Sequence, residues 1–175
     1  MNLYANAITT DQDAISLEVQ IAAPRERVFQ ALTDPTQLMQ WWGQKGMYHH
    51  TKWTADVRPG GAWRSEGVGD QDGRPYNVSG EYLEVDSPQR LVFTWKASWS
   101  GELKTTVAFD LVPASGGTLV KLRHSGFAAA PAVGKDHYQG WVRVLGWMQA
   151  FVEDGKTVET RPAFSAPTIS ERPTR

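Results

Sequence analysis

The chain contains no cysteine among its 175 residues. That excludes thiol nucleophiles, disulfides and cysteine-ligated zinc, and it agrees with a cytoplasmic location. An excess of charge of either sign is also missing: 18 Lys and Arg face 19 Asp and Glu, a net charge of −1. There is thus no electrostatic ground to expect a nucleic-acid partner. No stretch approaches the roughly 20 apolar residues a membrane span requires. The opening "MNLYANAITTDQDA" lacks the basic and apolar regions of a signal peptide. No GxSxG elbow, HExxH or P-loop is present. The glycine-rich "GVGDQDG" at 67–73 joins two strands instead of opening a helix, so it reads as a hairpin turn. The sequence therefore names no catalytic residue, no metal site and no cofactor, and it leans away from an enzyme.

Tryptophan is abundant, with eight residues. Three of them, with two of the four histidines, fall in "LMQWWGQKGMYHHTKW" at 38–53. Such a segment is either core or one wall of a binding site.

Upstream, "AISLEVQI" alternates strictly, with Ile15, Leu17, Val19 and Ile21 on one face, which predicts a half-buried strand over 14–21. "APRERVFQALTD" predicts a helix with Pro24 at its first position and an apolar stripe of Val28, Phe29 and Leu32. Asp34-Pro35 restarts the chain as N-cap and N1 of a second helix, "TQLMQWW", which Gly43 is expected to end.

From about residue 51 the period becomes two. "TKWTADV", "AWRSEGV" and "YNVSGEYLEV" are joined by turns at 58–61 and 69–75, with Gly80 a bulge or close-approach point. "RLVFTWKASW" puts Leu91, Phe93, Trp95, Ala97 and Trp99 on one face. "LKTTVAFDLV", "SGG" and "TLVKLRH" form a hairpin. A long helix over about 134–153 follows, with a stripe of Trp141, Val144, Leu145, Met148 and Val152 and a stop at Gly155. The expected organisation is an N-terminal extension (1–13), one domain (14–154) and a flexible tail (155–175) rich in Pro, Ser, Thr and charge.

Strands in a run with helices at the ends indicate α+β. An antiparallel sheet of six to seven strands twists and coils, and only the long C-terminal helix can cover its concave face. A curved sheet and a straight helix do not nest completely, and stiff rings fill the remainder poorly. A cavity of the usual ligand-binding kind is therefore expected between them.

"IAAPRERVFQALTDPTQLMQWWG", "DVRPGGAWR", "GEYLEVDSPQRLVFTW", "TVAFDLVPASGGTLVKLRHSGF" and "GWVRVLGWMQAF" together resemble the SRPBCC (START and birch-pollen-allergen-like) superfamily. Within it they resemble the branch of the activator of heat-shock-protein-90 ATPase homologue. The resemblance spans about residues 14–153. It implies a helix-grip fold with a hydrophobic cavity, and relatives that include carriers, cyclases and stress-response proteins.

The residues expected to line the cavity are Trp42, Trp53, Trp63, Tyr82, Phe93, Trp95, His124, Phe127, Trp141 and Leu145. One of Trp41 and Trp42 is expected in the core and the other at the cavity. His124 shares a phase with Val120 and Leu122, which points it inward as a core residue or a ligand-orienting group. His49 and His50 are expected in a solvated loop, unable to chelate together because neighbouring side chains diverge. The expected partner is a small apolar or aromatic molecule. The alternatives are a cyclase, dehydratase or hydrolase using inward polar groups of the same cavity, and a co-chaperone or other interaction module. A homodimer is compatible with each.

Overall fold

The computed structural model describes residues 13–164. The order is β1 (Ala14–Ile21), α1 (Arg25–Thr33), α2 (Pro35–Trp41), β2 (Gly43–Gln44), β3 (Tyr48–Ala55), β4 (Ala62–Gly69), β5 (Pro75–Asp86), β6 (Arg90–Ala97), β7 (Thr105–Ala114), β8 (Gly117–Ser125) and α3 (Pro131–Asp154). The strands make one antiparallel sheet in the order β1-β8-β7-β6-β5-β4-β3-β2. The fold is α+β and helix-grip-like, as expected. The sheet has eight strands, and the one beyond the expected seven is the two-residue β2, which is too short to leave a periodic signal.

Two bulges add local twist and curl the sheet toward α3. One lies between His50 and Lys52 of β3, the other between Tyr82 and Glu84 of β5. Close approach at Gly80 also matters. A Cβ there would stand 1.8 Å from the Thr94 carbonyl oxygen and 2.6 Å from Trp63 Nε1. Its absence lets the Trp63 indole cross β5 and donate to that carbonyl at 3.2 Å.

Helix ends follow local chemistry. Asp34 caps α2 by accepting from the Thr36 N–H at 3.0 Å. Pro24 takes the N-cap position of α1, one residue earlier than its expected place. Gly155 ends α3 in the left-handed conformation. Gly43 does not end α2. Trp42 is its C-cap in an extended conformation, and Gly43 (φ 129°) already pairs with His49.

α3 lies against β1 and α1. Its buried face is wider than the expected stripe, because Trp147 and Phe151 join Trp141, Val144, Leu145 and Met148. Side-chain bonds fasten its C-terminal half to the end of β1: Gln149 donates to the Gln20 carbonyl, and the Ala22 N–H donates to Glu153. Among the described residues no helix is long and apolar enough to cross a membrane.

The segment expected to be a flexible tail returns to the domain over its described part. The Val158 N–H donates to the Gln40 carbonyl and the Phe164 N–H to the Lys45 carbonyl, each at 2.8 Å. Arg161 donates to the carbonyls of Trp41 (2.9 Å) and Gly43. Its guanidinium lies 5.2 Å from the Trp147 ring centre, a cation–π distance. Backbone carbonyls in the last turn of α2 and just beyond it hold this strap, and composition carries no sign of them. Residues 1–12 and 165–175, which include most of the expected extension and the rest of the tail, lie outside the described residues.

Candidate functional site: a ring-lined cavity under the N-terminal half of the long helix

A cavity of about 650 Å³ opens between α3 and the β3–β6 half of the sheet. Its depth is walled by rings: Trp42 after α2, Tyr48, His50 and Trp53 of β3, Tyr76 of β5, Trp95 of β6 and Trp141 of α3. Exposed Asp72, Arg74, Trp99 and Asp136 stand at its mouth. These rings interlock: Trp42 lies 5.3 Å from Trp53, 5.6 Å from Trp141 and 6.3 Å from Trp95, centre to centre. These tilted, edge-to-face and stacked contacts, in that order, hold the wall without filling the space in front of it.

The bulge in β3 makes this wall. It inserts Thr51 between His50 and Lys52, so His50 and Trp53, three residues apart, point to the same side, with ring centres 4.8 Å apart. The expectation of a solvated His49-His50 loop is corrected here. His49 faces outward and pairs with Asp70 at 2.6 Å, whereas His50 is half-buried in a strand and lines the cavity. Burial lowers the His50 imidazole to about 4, opposed by the nearby Glu66 carbonyl. It is neutral at pH 7. His50 Nε2 and Trp53 Nε1 are buried and have no hydrogen-bond partner among the described residues. Burial also raises the Tyr48 phenol to about 12 and raises that of Tyr76. The depth of the cavity therefore carries no charge at neutral pH.

Two further histidines brace the tryptophans. Trp141 Nε1 donates to His124 Nδ1 at 2.9 Å, so the other nitrogen, Nε2, carries the proton and donates to Thr105 Oγ1 at 2.6 Å. The Thr105 hydroxyl in turn donates to the Trp95 carbonyl at 3.3 Å. In parallel, His137 Nδ1 donates to the Val133 carbonyl at 2.9 Å, and Nε2 accepts from Trp95 Nε1 at 3.2 Å. Both imidazoles are neutral with both nitrogens occupied. Burial pushes the His124 pKa well below its ordinary value, with the neighbouring His137 acting the same way, and it lowers His137 too.

Of the expected wall residues, Trp42, Trp53, Trp95 and Trp141 line this cavity. Trp63, Tyr82 and Phe93 instead surround a separate void of about 20 Å³ beneath it, closed off by the indoles of Trp42, Trp53 and Trp95. His124, Phe127 and Leu145 line neither space. His124 is wholly buried and spends its polarity on Thr105 and Trp141. Phe127 packs on His124 at 4.6 Å and is core, not a gate. Trp41 is wholly buried and donates to the Ala31 carbonyl, so of the tryptophan pair it is Trp42 that faces the cavity.

Tyr48, His50, Tyr76, Trp99, His137 and Gly140 also line the cavity and were not anticipated. A bulge hid the first two. Tyr76 shares the inward phase of Val78 and Tyr82, which runs unbroken through Gly80 and shifts only at the bulge between Tyr82 and Glu84. His137 and Gly140 lie on the same face of α3 as Trp141 and Val144, at the i, i+3, i+4, i+7 spacing that could have revealed them. Among the described residues no group of three or more metal-binding side chains occurs.

The same architecture recurs among known proteins. The structure of CV1439 from Chromobacterium violaceum is 28% identical, with 81% of this chain and 98% of that one aligned at a TM-score of 0.69. Ms6760 from Mycobacterium smegmatis is 23% identical over 88% of this chain and 97% of that one, at a TM-score of 0.72. DynU16, a protein of the dynemicin biosynthetic locus, is 23% identical over 83% of this chain and 49% of that one, at a TM-score of 0.67. A search of the curated proteins finds no match. The family model described as activator of Hsp90 ATPase homolog 1-like protein matches residues 22–153. The chain, with its curled antiparallel sheet gripping a long C-terminal helix, belongs to that family.

Proposed function

We propose that this protein binds a small, mainly apolar, ring-bearing molecule in the cavity between α3 and β3–β6. The observation that carries the reading is the cavity itself: about 650 Å³, walled in its depth by uncharged rings and open to solvent at a polar mouth. That volume lies within the roughly 300–1,000 Å³ of small-molecule sites. An aromatic guest would stack on or meet the edges of the indoles, and its burial would be driven by area removed from water. A polar atom of the guest placed near His50 and Trp53 would meet hydrogen-bonding capacity that the protein leaves unused.

The catalytic alternative has weaker support. It needs two free polar groups within reach of one substrate atom. His124 and His137 are both fully engaged by protein partners. Of the three histidines His50, His124 and His137, His50, which lies 3.4 Å from the Tyr76 hydroxyl, keeps an unpaired nitrogen among the described residues, and the other unpaired group beside it is the Trp53 indole N–H, which is no acid or base at neutral pH.

Titration with N-phenyl-1-naphthylamine, a neutral probe whose emission rises on leaving water, tests the reading. The expected result is saturable one-to-one binding with energy transfer from tryptophan. Purely linear, non-saturating uptake across several such probes would rule the reading out.

A further inference from the structure

α3 contains three interior glycines, and they differ in what surrounds them. A Cβ at Gly134 would stand 3.2 Å from the Phe127 ring, so packing accounts for the missing side chain. At Gly140 and Gly146 a Cβ would meet nothing within 4 Å. Glycine is a poor helix former, and alanine at either place would fit without a clash. The two part company in what they border. Gly146 lies away from the cavity, whereas the backbone at Gly140 forms part of its wall.

On the cavity side of α3, His137, Gly140, Trp141 and Val144 follow one another at helical spacing. His137 is pinned by Trp95 and by the Val133 carbonyl, and Trp141 is pinned by His124. Neither ring is free to swing over the gap at 140. The wall of the helix is therefore notched at this position. Across the cavity stand the rings of β3 and β5, Tyr48, His50, Trp53 and Tyr76.

We propose, resting on the ligand-binding reading above, that Gly140 is the size-determining residue of the cavity. The notch lets the edge of a flat, ring-bearing ligand reach the α3 backbone between His137 and Val144, so that side-chain volume at this single position sets how large a guest the site accepts. The inference goes beyond the existence of a cavity, because it names the dimension that is selected and the residue that selects it.

The test compares the unmodified protein with Gly140→Ala, Gly140→Leu, Gly146→Ala and Gly146→Leu. N-phenyl-1-naphthylamine is the probe, and melting temperature is measured on the same samples. Affinity is expected to fall with side-chain size at 140, by about threefold for Ala and roughly tenfold or more for Leu. The two 146 variants should stay within about twofold of the unmodified protein. Both Ala variants should melt at the same temperature as the parent or a few degrees higher, since alanine favours the helix. Weakened binding in the Gly140→Ala protein is then not the result of unfolding, even if the Leu variant folds poorly.

Gly140 variants that bind as tightly as the parent overturn the proposal while leaving the cavity reading intact. Equal weakening at 140 and 146 also overturns it, by pointing to helix stiffness instead of the notch. A parent protein that binds no probe saturably removes the cavity reading and this proposal together.

Discussion

Under α3 the β1–β8 side of the interior is aliphatic, whereas the β3–β6 side is aromatic and hollow. The first region is built on Ile15, Leu17, Val19 and Ile21 of β1 and Val120 and Leu122 of β8, each at most 3% exposed. Neither the cavity nor the small void reaches these residues. The second is built from Trp42, Tyr48, Trp53, Tyr76, Trp95 and Trp141, and it encloses about 650 Å³. Branched aliphatic side chains interdigitate to the density of a crystal. Rings are rigid plates that meet at edges, and their hydrogen-bonding nitrogens fix them further, as His124 and His137 fix Trp141 and Trp95. The same helix and the same sheet can thus be sealed on one side and left open on the other by the choice of side chain alone.

Substitutions that separate stability from binding sharpen this contrast. The largest effect is expected in the aliphatic half. Leu17→Ala should lower unfolding free energy in urea by about 2–5 kcal/mol, yet the folded fraction should bind N-phenyl-1-naphthylamine within about twofold of the parent. Loss of binding in step with stability would mean that the two regions are one cooperative site.

Next comes the brace between them. His124→Ala leaves the Trp141 indole N–H and the Thr105 hydroxyl unpartnered and opens a hole. It should cost about 2–4 kcal/mol and weaken probe binding through the loosened Trp141 wall. Urea unfolding and probe titration on one preparation would show whether both fall.

Acid should act on the same region. His50, His124 and His137 have native pKa values depressed below the unfolded value. The unfolded chain therefore binds more protons than the native one between that value and the native pKa, and stability rises with pH across the window. For His50 the window runs from 6.5 down to about 4. The stabilising share is present in full above the unfolded value and is lost as pH falls, at about 1.4 kcal/mol per pKa unit of depression. The melting temperature should fall steadily from pH 7 to 4, and His50→Phe should flatten the His50 share of that fall. A melting temperature independent of pH in this range would contradict the burial of these imidazoles.

A smaller effect is expected from the strap. Arg161→Ala removes the donors that hold the Trp41 and Gly43 carbonyls on either side of Trp42. It should cost about 1–2 kcal/mol, with Arg161→Lys recovering part of it and limited proteolysis reporting release of residues 156–164. Burial already lowers the Arg161 guanidinium to about 10, which marks how far this contact is withdrawn from water.

The smallest effect on stability belongs to the mouth. Trp99 is 57% exposed and stacks on His137 with ring centres 6.2 Å apart. Trp99→Ala should change stability by less than about 0.5 kcal/mol while speeding probe release in stopped-flow measurements. An unchanged release rate would place the exit elsewhere.

Much of this was legible in the chain because the signals are local. Strict alternation marked β1, the Gly-rich turns marked the hairpins, Asp34-Pro35 marked the start of α2, and Gly155 marked the end of α3. A curled sheet gripping one long helix follows from the order of those elements. Four of the wall residues, Trp42, Trp53, Trp95 and Trp141, were also readable, since large rings on an inward phase have few other places to go. What was misread turns on register. The extra residue at Thr51 moved His50 from the expected outer loop to the cavity wall. Exchange of the expected site residue His124 for His137 as the ring at the cavity surface depended on how far each side chain stands from α3, which periodicity does not measure.

By itself the sequence determined which faces turn inward, where elements begin and end, and that rings crowd the interior, because these depend on contacts between residues a few positions apart. Only the tertiary structure decided where the rings fail to fill space, which histidine is consumed by bracing and which borders the cavity, and that Arg161 returns to close the wall behind Trp42. Those outcomes depend on the separation of surfaces far apart in the chain. That separation is set by sheet curvature and strand register summed over the whole fold, and no short window of residues contains it.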